Sequence, residues 1–212
     1  MVKKQIGIPL DDKSIIWRYL DFTKFVAVLE TESLYFTRID KLADPFEGAT
    51  SKANIKNRPT VYKEIVENWP AFLEQTPRSN KAMRKFFLVN CWHMNEFESS
   101  AMWKIYLKTN EGIAIRTTIK NLSESFTQVD ENNINIEAVR YIDYENDWLP
   151  EGNTIYPFIH KRKSFSFENE IRAIYSEFVT KEPEKEGEVG TLFLDKAIYE
   201  HGKNIKVDLN PD

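Results

Sequence analysis

Ser164-Phe165-Ser166-Phe167-Glu168-Asn169-Glu170-Ile171-Arg172-Ala173-Ile174-Tyr175 is the stretch that sets the class of fold. In an extended chain alternate residues share a face, so Phe165, Phe167, Ile171, Ala173 and Tyr175 point one way and Ser166, Glu168, Glu170 and Arg172 the other. Asn169 is the odd polar member of the apolar side. The alternation predicts one long strand over a core. Its second face, Glu-x-Glu-x-Arg, is also the ordinary pattern of a solvated sheet surface, on which Glu170 and Arg172 pair for a fraction of a kcal/mol.

Working back from this strand, Phe86-Phe87-Leu88-Val89-Asn90-Cys91-Trp92 is a nearly continuous apolar run, as expected of a central strand covered on both faces, with His93 at its exit. Ser14 to Leu20 reads as a first strand. Asp21 offers an N-cap to a helix carrying Phe22, Phe25, Val26 and Leu29, and Leu34-Tyr35-Phe36 follows as a short strand. Residues 41–48 form a turn around Pro45 and Gly48. The stretch 53–84, interrupted by Pro59, Pro70 and Pro77, is expected as a helical excursion over the sheet. Ser99 or Ser100 caps a helix through Met102, Trp103 and Tyr106, and Ile113 to Arg116 resumes as strand. Ile136 to Tyr144 is a further strand candidate, 181–188 a solvated Glu/Lys loop, and Val207 begins a last strand. Residues 1–13 are an N-terminal tail, and 14–212 form one α+β domain with a mixed central sheet and flanking helices.

Composition supports one core: 42% of 212 residues are hydrophobic and 13% aromatic, while only seven are glycine, which disfavours a Gly-rich phosphate cradle. A formal charge of −4 disfavours bulk neutralisation of a nucleic-acid backbone. Cys91 is the only cysteine, so internal disulfides and thiolate metal clusters are excluded and a reducing, cytoplasmic setting is expected. Neither a signal peptide nor a membrane span is legible.

Four segments together resemble the bacterial and phage family called domain of unknown function 2971. They are Trp17-Arg18-Tyr19; Leu34-Tyr35-Phe36 running into Asp44-Pro45-Phe46-Glu47-Gly48; Met102-Trp103-Lys104-Ile105-Tyr106 with Glu111 to Ile115; and Phe167 to Arg172. The likeness spans most of the chain through the order and spacing of short motifs. It departs at Ala43, where the family has Asn, and relatives are expected to run on past Asp212. The family name carries no activity.

An early-strand Arg18 combined with Glu168 and Glu170 on a late strand resembles the skeleton of ADP-ribosyltransferases. That likeness implies NAD as cofactor, Glu170 as the ribose-binding catalytic carboxylate, Glu168 as acceptor partner and Arg18 as phosphate or ribose clamp, with Tyr19 or Tyr106 stacking on nicotinamide. The chemistry asks for such groups, because loss of nicotinamide leaves an oxocarbenium-like sugar that a fixed negative charge stabilises. The chain lacks the Ser-Thr-Ser triplet expected on a middle strand, and Ser99-Ser100 sit too close to a helix start to substitute. His93 is a candidate acid, base or dinucleotide clamp, or simply a polar strand end. Cys91 is read as a core cysteine rather than a nucleophile. His160-Lys161-Arg162-Lys163 is either an anion grip or, more commonly for such a run, a solvated loop. Met102, Trp103 and Tyr106 form a stripe explained by packing, and Asp44-Pro45-Phe46 is a structural turn that can also form a pocket lip.

The expected function is thus an ADP-ribosyltransferase-like, NAD-using enzyme with a nucleic-acid or protein acceptor, in the setting of bacteria-phage conflict. The alternative is a non-catalytic protein-binding defence or counter-defence protein. A nuclease is a third, with no compact Asp/Glu/Lys metal motif behind it. An enzyme requires Arg18, His93 or Tyr106, and Glu170 to converge on one cleft; a binding protein leaves them scattered or mutually paired.

Overall fold

The computed structural model describes residues 7–64, 79–107, 111–129, 133–178, 180–181, 191–192 and 198–209. Strand β1 (Ile15–Asp21) leads into helix α1 (Phe22–Thr31) and strand β2 (Ser33–Arg38). Then come α2 (Lys52–Tyr62), β3 (Phe87–Met94), α3 (Ser100–Tyr106), β4 (Gly112–Thr118) and α4 (Ile119–Ser125). The chain continues through β5 (Ile134–Ala138), β6 (Arg140–Ile142), β7 (His160–Arg162) and β8 (Glu170–Ser176) to the short β9 (Thr180–Lys181) and β10 (Thr191–Leu192) and the last strand, β11 (Gly202–Lys206). This is a single α+β fold, as the patterning predicts.

Among the described residues the central sheet has seven strands and differs from the expected mixed one: every pairing in it is antiparallel, and parallel pairing occurs only between β6 and β7. The reason lies in the strand-helix-strand opening. Helix α1 returns the chain so that β2 runs in the same sense as β1, but the two are not neighbours. Both pair antiparallel with β3, β1 at its C-terminal end (Ile16 with Met94, Trp17 with His93) and β2 at its N-terminal end (Thr37 with Val89, Arg38 with Leu88). Because β8 pairs with β3 along Phe87–His93, β1 and β2 must share β3's other edge. The sheet therefore forks at Asn90, Cys91 and Trp92, which lie between the two short pairings.

Two side-chain hydrogen bonds satisfy backbone groups left open at the fork. The Arg18 guanidinium donates to the Cys91 carbonyl at 2.6 Å, and the Asn90 amide donates to the Tyr35 carbonyl at 3.0 Å. These are the edge groups that a continuous ladder would have satisfied.

Alternation along β3 divides the interior. Leu88 and Trp92 belong to the larger core with Ile16, Leu20, Val28, Phe36, Ile171, Ala173 and Tyr175; Phe87 and Val89 face the opposite way, with Ile39, Phe158, Ile159 and Ile174. On that second face the apolar character ends halfway. It passes from Phe87 and Val89 to Cys91 and His93 along β3, and from Ile174 to Arg172 and Glu170 along β8. The site lies where it changes.

Four sequence expectations are corrected. The Ser164–Tyr175 strand begins only at Glu170, because Lys163–Glu168 is a 3-10 helix terminated by Asn169 at φ 36°, whose side chain donates to the Met94 carbonyl. The 136–144 stretch divides at Val139 into β5, on the central sheet, and β6, on the small parallel one. The last strand precedes Val207 instead of starting there. Asp21 makes no side-chain cap to α1, whereas Ser99 does accept from the Met102 amide. Of the expected excursion, Pro59 lies inside α2, residues 79–83 are helical and 65–78 fall outside the described residues, as does most of the 181–188 loop. The described part of the N-terminal tail is tied down: Gly7 donates to Glu137 at 3.0 Å and Leu10 packs on the larger core. No helix among the described residues is long and apolar enough to cross a membrane.

Candidate functional site

The register of β1, β3 and β8 builds the site row by row. Trp17, His93 and Glu170 stand abreast, and Cys91 stands beside Arg172. Directly opposed residues share a face, so His93, Cys91, Glu170 and Arg172 converge without any loop having to position them. Above them the turn at 44–48 brings in Glu47. Gly48 makes that turn at φ 70°, where an added Cβ would meet the Phe158 ring at 2.6 Å. Strand β7 supplies Lys161 from beneath the 3-10 segment.

A cavity of about 730 Å³ opens here, within the size range of small-molecule sites. Arg18, Tyr19, His93, Tyr106, Glu168 and Glu170, the six candidates named from sequence, all line it. They reach it from β1, β3, α3, the 3-10 segment and β8.

The carboxylates are not on a solvated surface, and neither is Arg172: Glu168 is 8%, Glu170 4% and Arg172 0% exposed. Arg172 donates two bonds of 2.8 Å to Glu47, bonds of 2.7 and 3.1 Å to Glu170, and one of 2.8 Å to the Phe158 carbonyl. Lys161 donates to Glu168 at 2.5 Å and to Glu170 at 3.2 Å. The basic run is accordingly not a solvated loop. His160 is 1% and Lys161 8% exposed, Arg162 pairs with Asp44 at 3.0 Å, and Lys163 alone of the four is well exposed. Sequence reasoning missed the part played by Glu47, Lys161 and Arg172. The available signal was that the basic run leads directly into the carboxylate segment.

Three carboxylates therefore face two cations, Lys161 and Arg172. One negative charge is in excess, and burial decides where it is least tolerated. For Glu170 burial would raise the pKa, but the charge and hydrogen bonds of Arg172, then the charge of Lys161, outweigh it and hold the group at about 2. For Glu168 burial wins over Lys161, the Glu170 charge adds to it, and the pKa rises. Two neighbouring carboxylates are thus driven apart, one fixed as an anion and the other made a better proton acceptor.

Across Cys91 the charge balance is opposite. The Arg18 side chain is half-buried, desolvation lowers its pKa, and it has no carboxylate partner among the described residues; its contacts are the Cys91 carbonyl and the Trp92 ring at 5.9 Å. A partly desolvated cation without a counterion lining a cavity invites an anion to supply the missing charge. The Cys91 thiol sits between this cation and Glu170, its pKa pushed up by burial and by the Glu170 charge, so it is a poor nucleophile at neutral pH.

His93 donates from Nδ1 to the Glu168 carbonyl at 2.6 Å, since a carbonyl can only accept; its Nε2 is buried and has no partner among the described residues. With that proton at Nδ1, Nε2 is the ring atom left to face a ligand. Tyr19 accepts from the Ser99 amide at 2.7 Å and packs edge-on to Trp103, so its work is to seat α3 on β1. Tyr106, at the end of that helix, has a partly exposed ring and a hydroxyl whose pKa is raised by burial, then by Cys91, Glu168 and Glu170. It is the aromatic group best placed to cover a ligand.

No protein-family model, no curated protein and no solved structure matches this chain.

Proposed function

We propose that the cavity binds NAD and transfers its ADP-ribosyl group to a nucleic-acid or protein acceptor, in the setting of bacteria-phage conflict. One observation carries the proposal: a half-buried guanidinium with no carboxylate partner among the described residues and a pair of carboxylates with divergent pKa values flank Cys91 in a single cavity. The pyrophosphate is the anion for Arg18. The nicotinamide ribose lies toward Glu168 and Glu170, and Tyr106 covers the ring. When the bond between ribose C1′ and the nicotinamide nitrogen breaks, its electron pair neutralises the pyridinium and neutral nicotinamide leaves. Glu170 is already ionised and faces the cation left on the sugar. The acceptor then attacks C1′ and gives its proton to Glu168, whose raised pKa suits it as a base. Kinship with the family called domain of unknown function 2971 belongs to the same proposal and rests on the order of the four motifs.

A second reading, a non-catalytic binding protein, is favoured by a different observation. Both Glu170 oxygens are taken up by Arg172 and Lys161, as in a structural cluster.

Thermal unfolding with added NAD separates them. A ligand at 100 times its Kd contributes about 2.7 kcal/mol, which for a chain of this size raises Tm by about 5–10 °C. Arg18→Met is expected to abolish that rise while leaving the unliganded protein within about 1 kcal/mol of wild type, because loss of one hydrogen bond is offset by removal of an uncompensated charge. Absence of a shift in the wild-type protein would favour the binding-protein reading.

A further inference from the structure

The cavity does not stay on one face of the sheet. Cys91, Val89 and Leu42, which line it, belong with the smaller core, while Leu20, Val28 and Trp92, which also line it, belong to the larger core on the opposite face. A continuous sheet would separate these groups. They meet because the sheet forks at Asn90, Cys91 and Trp92, and the opening lets the cavity pass through to α1. Lys24, Ala27, Val28 and Thr31, one stripe at helical spacing, form its wall on that side. Lys24 is well exposed, its amine 2.8 Å from Asp21, and Ala27 is exposed too, so this end reaches the surface. At the other end Pro45 is exposed and the Arg162 side chain is 38% accessible.

We propose that the ligand threads the fork: the adenosine half of the dinucleotide lies under α1, the pyrophosphate crosses the sheet at Arg18, and the nicotinamide half emerges beside Glu168 and Glu170. This placement rests on the NAD reading above. The charges order the ligand along the passage. The carboxylates repel a pyrophosphate and accept a ribose or a developing sugar cation, whereas Arg18, in the fork itself, is a cation without a carboxylate partner among the described residues. The α1 side is lined by short side chains, Ala27, Thr31 and Ser33, against Leu20 and Val28, which leaves room for a flat, largely apolar ring. Among the described residues no carboxylate lines that side.

The test fills the α1 side only. Ala27→Trp, and the milder Ala27→Leu, add bulk at an exposed helical position, so the fold is retained; Ile55→Trp on α2, away from the cavity, controls for an added surface ring. Calorimetric titration with NAD, ADP-ribose and nicotinamide mononucleotide is the readout. Ala27→Trp is expected to weaken NAD and ADP-ribose by about tenfold or more, Ala27→Leu by less, and to leave nicotinamide mononucleotide within about twofold. Unchanged NAD affinity in Ala27→Trp, or equal loss for nicotinamide mononucleotide, overturns the threading while leaving the NAD reading in place. Wild-type protein that fails to bind NAD at all overturns both.

Discussion

Replacing Arg172 with methionine is expected to lower the unfolding free energy by about 3–5 kcal/mol, the cost typical of breaking a buried ion pair from one side. The side chain is fully buried and holds two carboxylates and a carbonyl at once. Without it Glu47 and Glu170 face each other in a desolvated space with Lys161 as the only remaining cation of the cluster. Lysine at 172 does not restore the loss, since its point charge cannot reproduce the fork that grips Glu47 through two parallel bonds. The effect carries a pH signature. In the wild-type protein Glu170 is held at about 2, below its ordinary 4.5, so its contribution is present above pH 4.5 and is lost as pH falls toward 2. In Arg172→Met burial acts on Glu170 without the Arg172 charge to oppose it, so the penalty of its ionised form is absent well below pH 4.5 and grows as pH rises. Urea unfolding of both proteins should therefore differ most near neutrality and converge in acid. A loss below about 1 kcal/mol at pH 7 would show that the cluster is not the buried unit described here.

Glu168→Gln is expected to reduce nicotinamide release in the presence of an acceptor by about 100-fold or more, the contribution typical of a positioned acid or base. NAD affinity should change little, because the phosphate anchor is elsewhere. The amide keeps an oxygen for the Lys161 bond and removes a carboxylate whose raised pKa marks its charge as a burden, so stability should not fall. Glu170→Gln is the poorer probe, as it removes an anion that Arg172 and Lys161 share and so disturbs the whole cluster. Release measured chromatographically in a cell extract, as a source of acceptors, gives the comparison. Equal rates for the two proteins would remove Glu168 from the chemistry.

The site was partly legible in the sequence, and the reasons differ by residue. Arg18 and the two glutamates stand out in the sequence because their residue types match a known chemistry; the strands that carry Arg18 and Glu170 are legible there, whereas Glu168 lies in the 3-10 segment where a strand is expected. Their burial was not legible. Glu-Asn-Glu-Ile-Arg fits a wet sheet face and a buried charge cluster equally well, and only the arrival of Glu47 and Lys161 from distant segments distinguishes the two. The 3-10 turn at Lys163–Glu168 escaped because Phe165 and Phe167 mimic the period of a strand, while the break depends on one left-handed residue, Asn169. The fork was invisible for a similar reason: alternation reports which face a residue occupies, and nothing in it says that two strands share one edge of β3.

The most direct single measurement is a crystal structure of Glu168→Gln with NAD, the variant being chosen so that the dinucleotide persists uncleaved. Pyrophosphate oxygens are expected within about 2.7–2.9 Å of the Arg18 guanidinium nitrogens, with the nicotinamide ribose beside residue 168 and Glu170. A dinucleotide bound elsewhere, or a cavity left empty at saturating NAD, would contradict that placement.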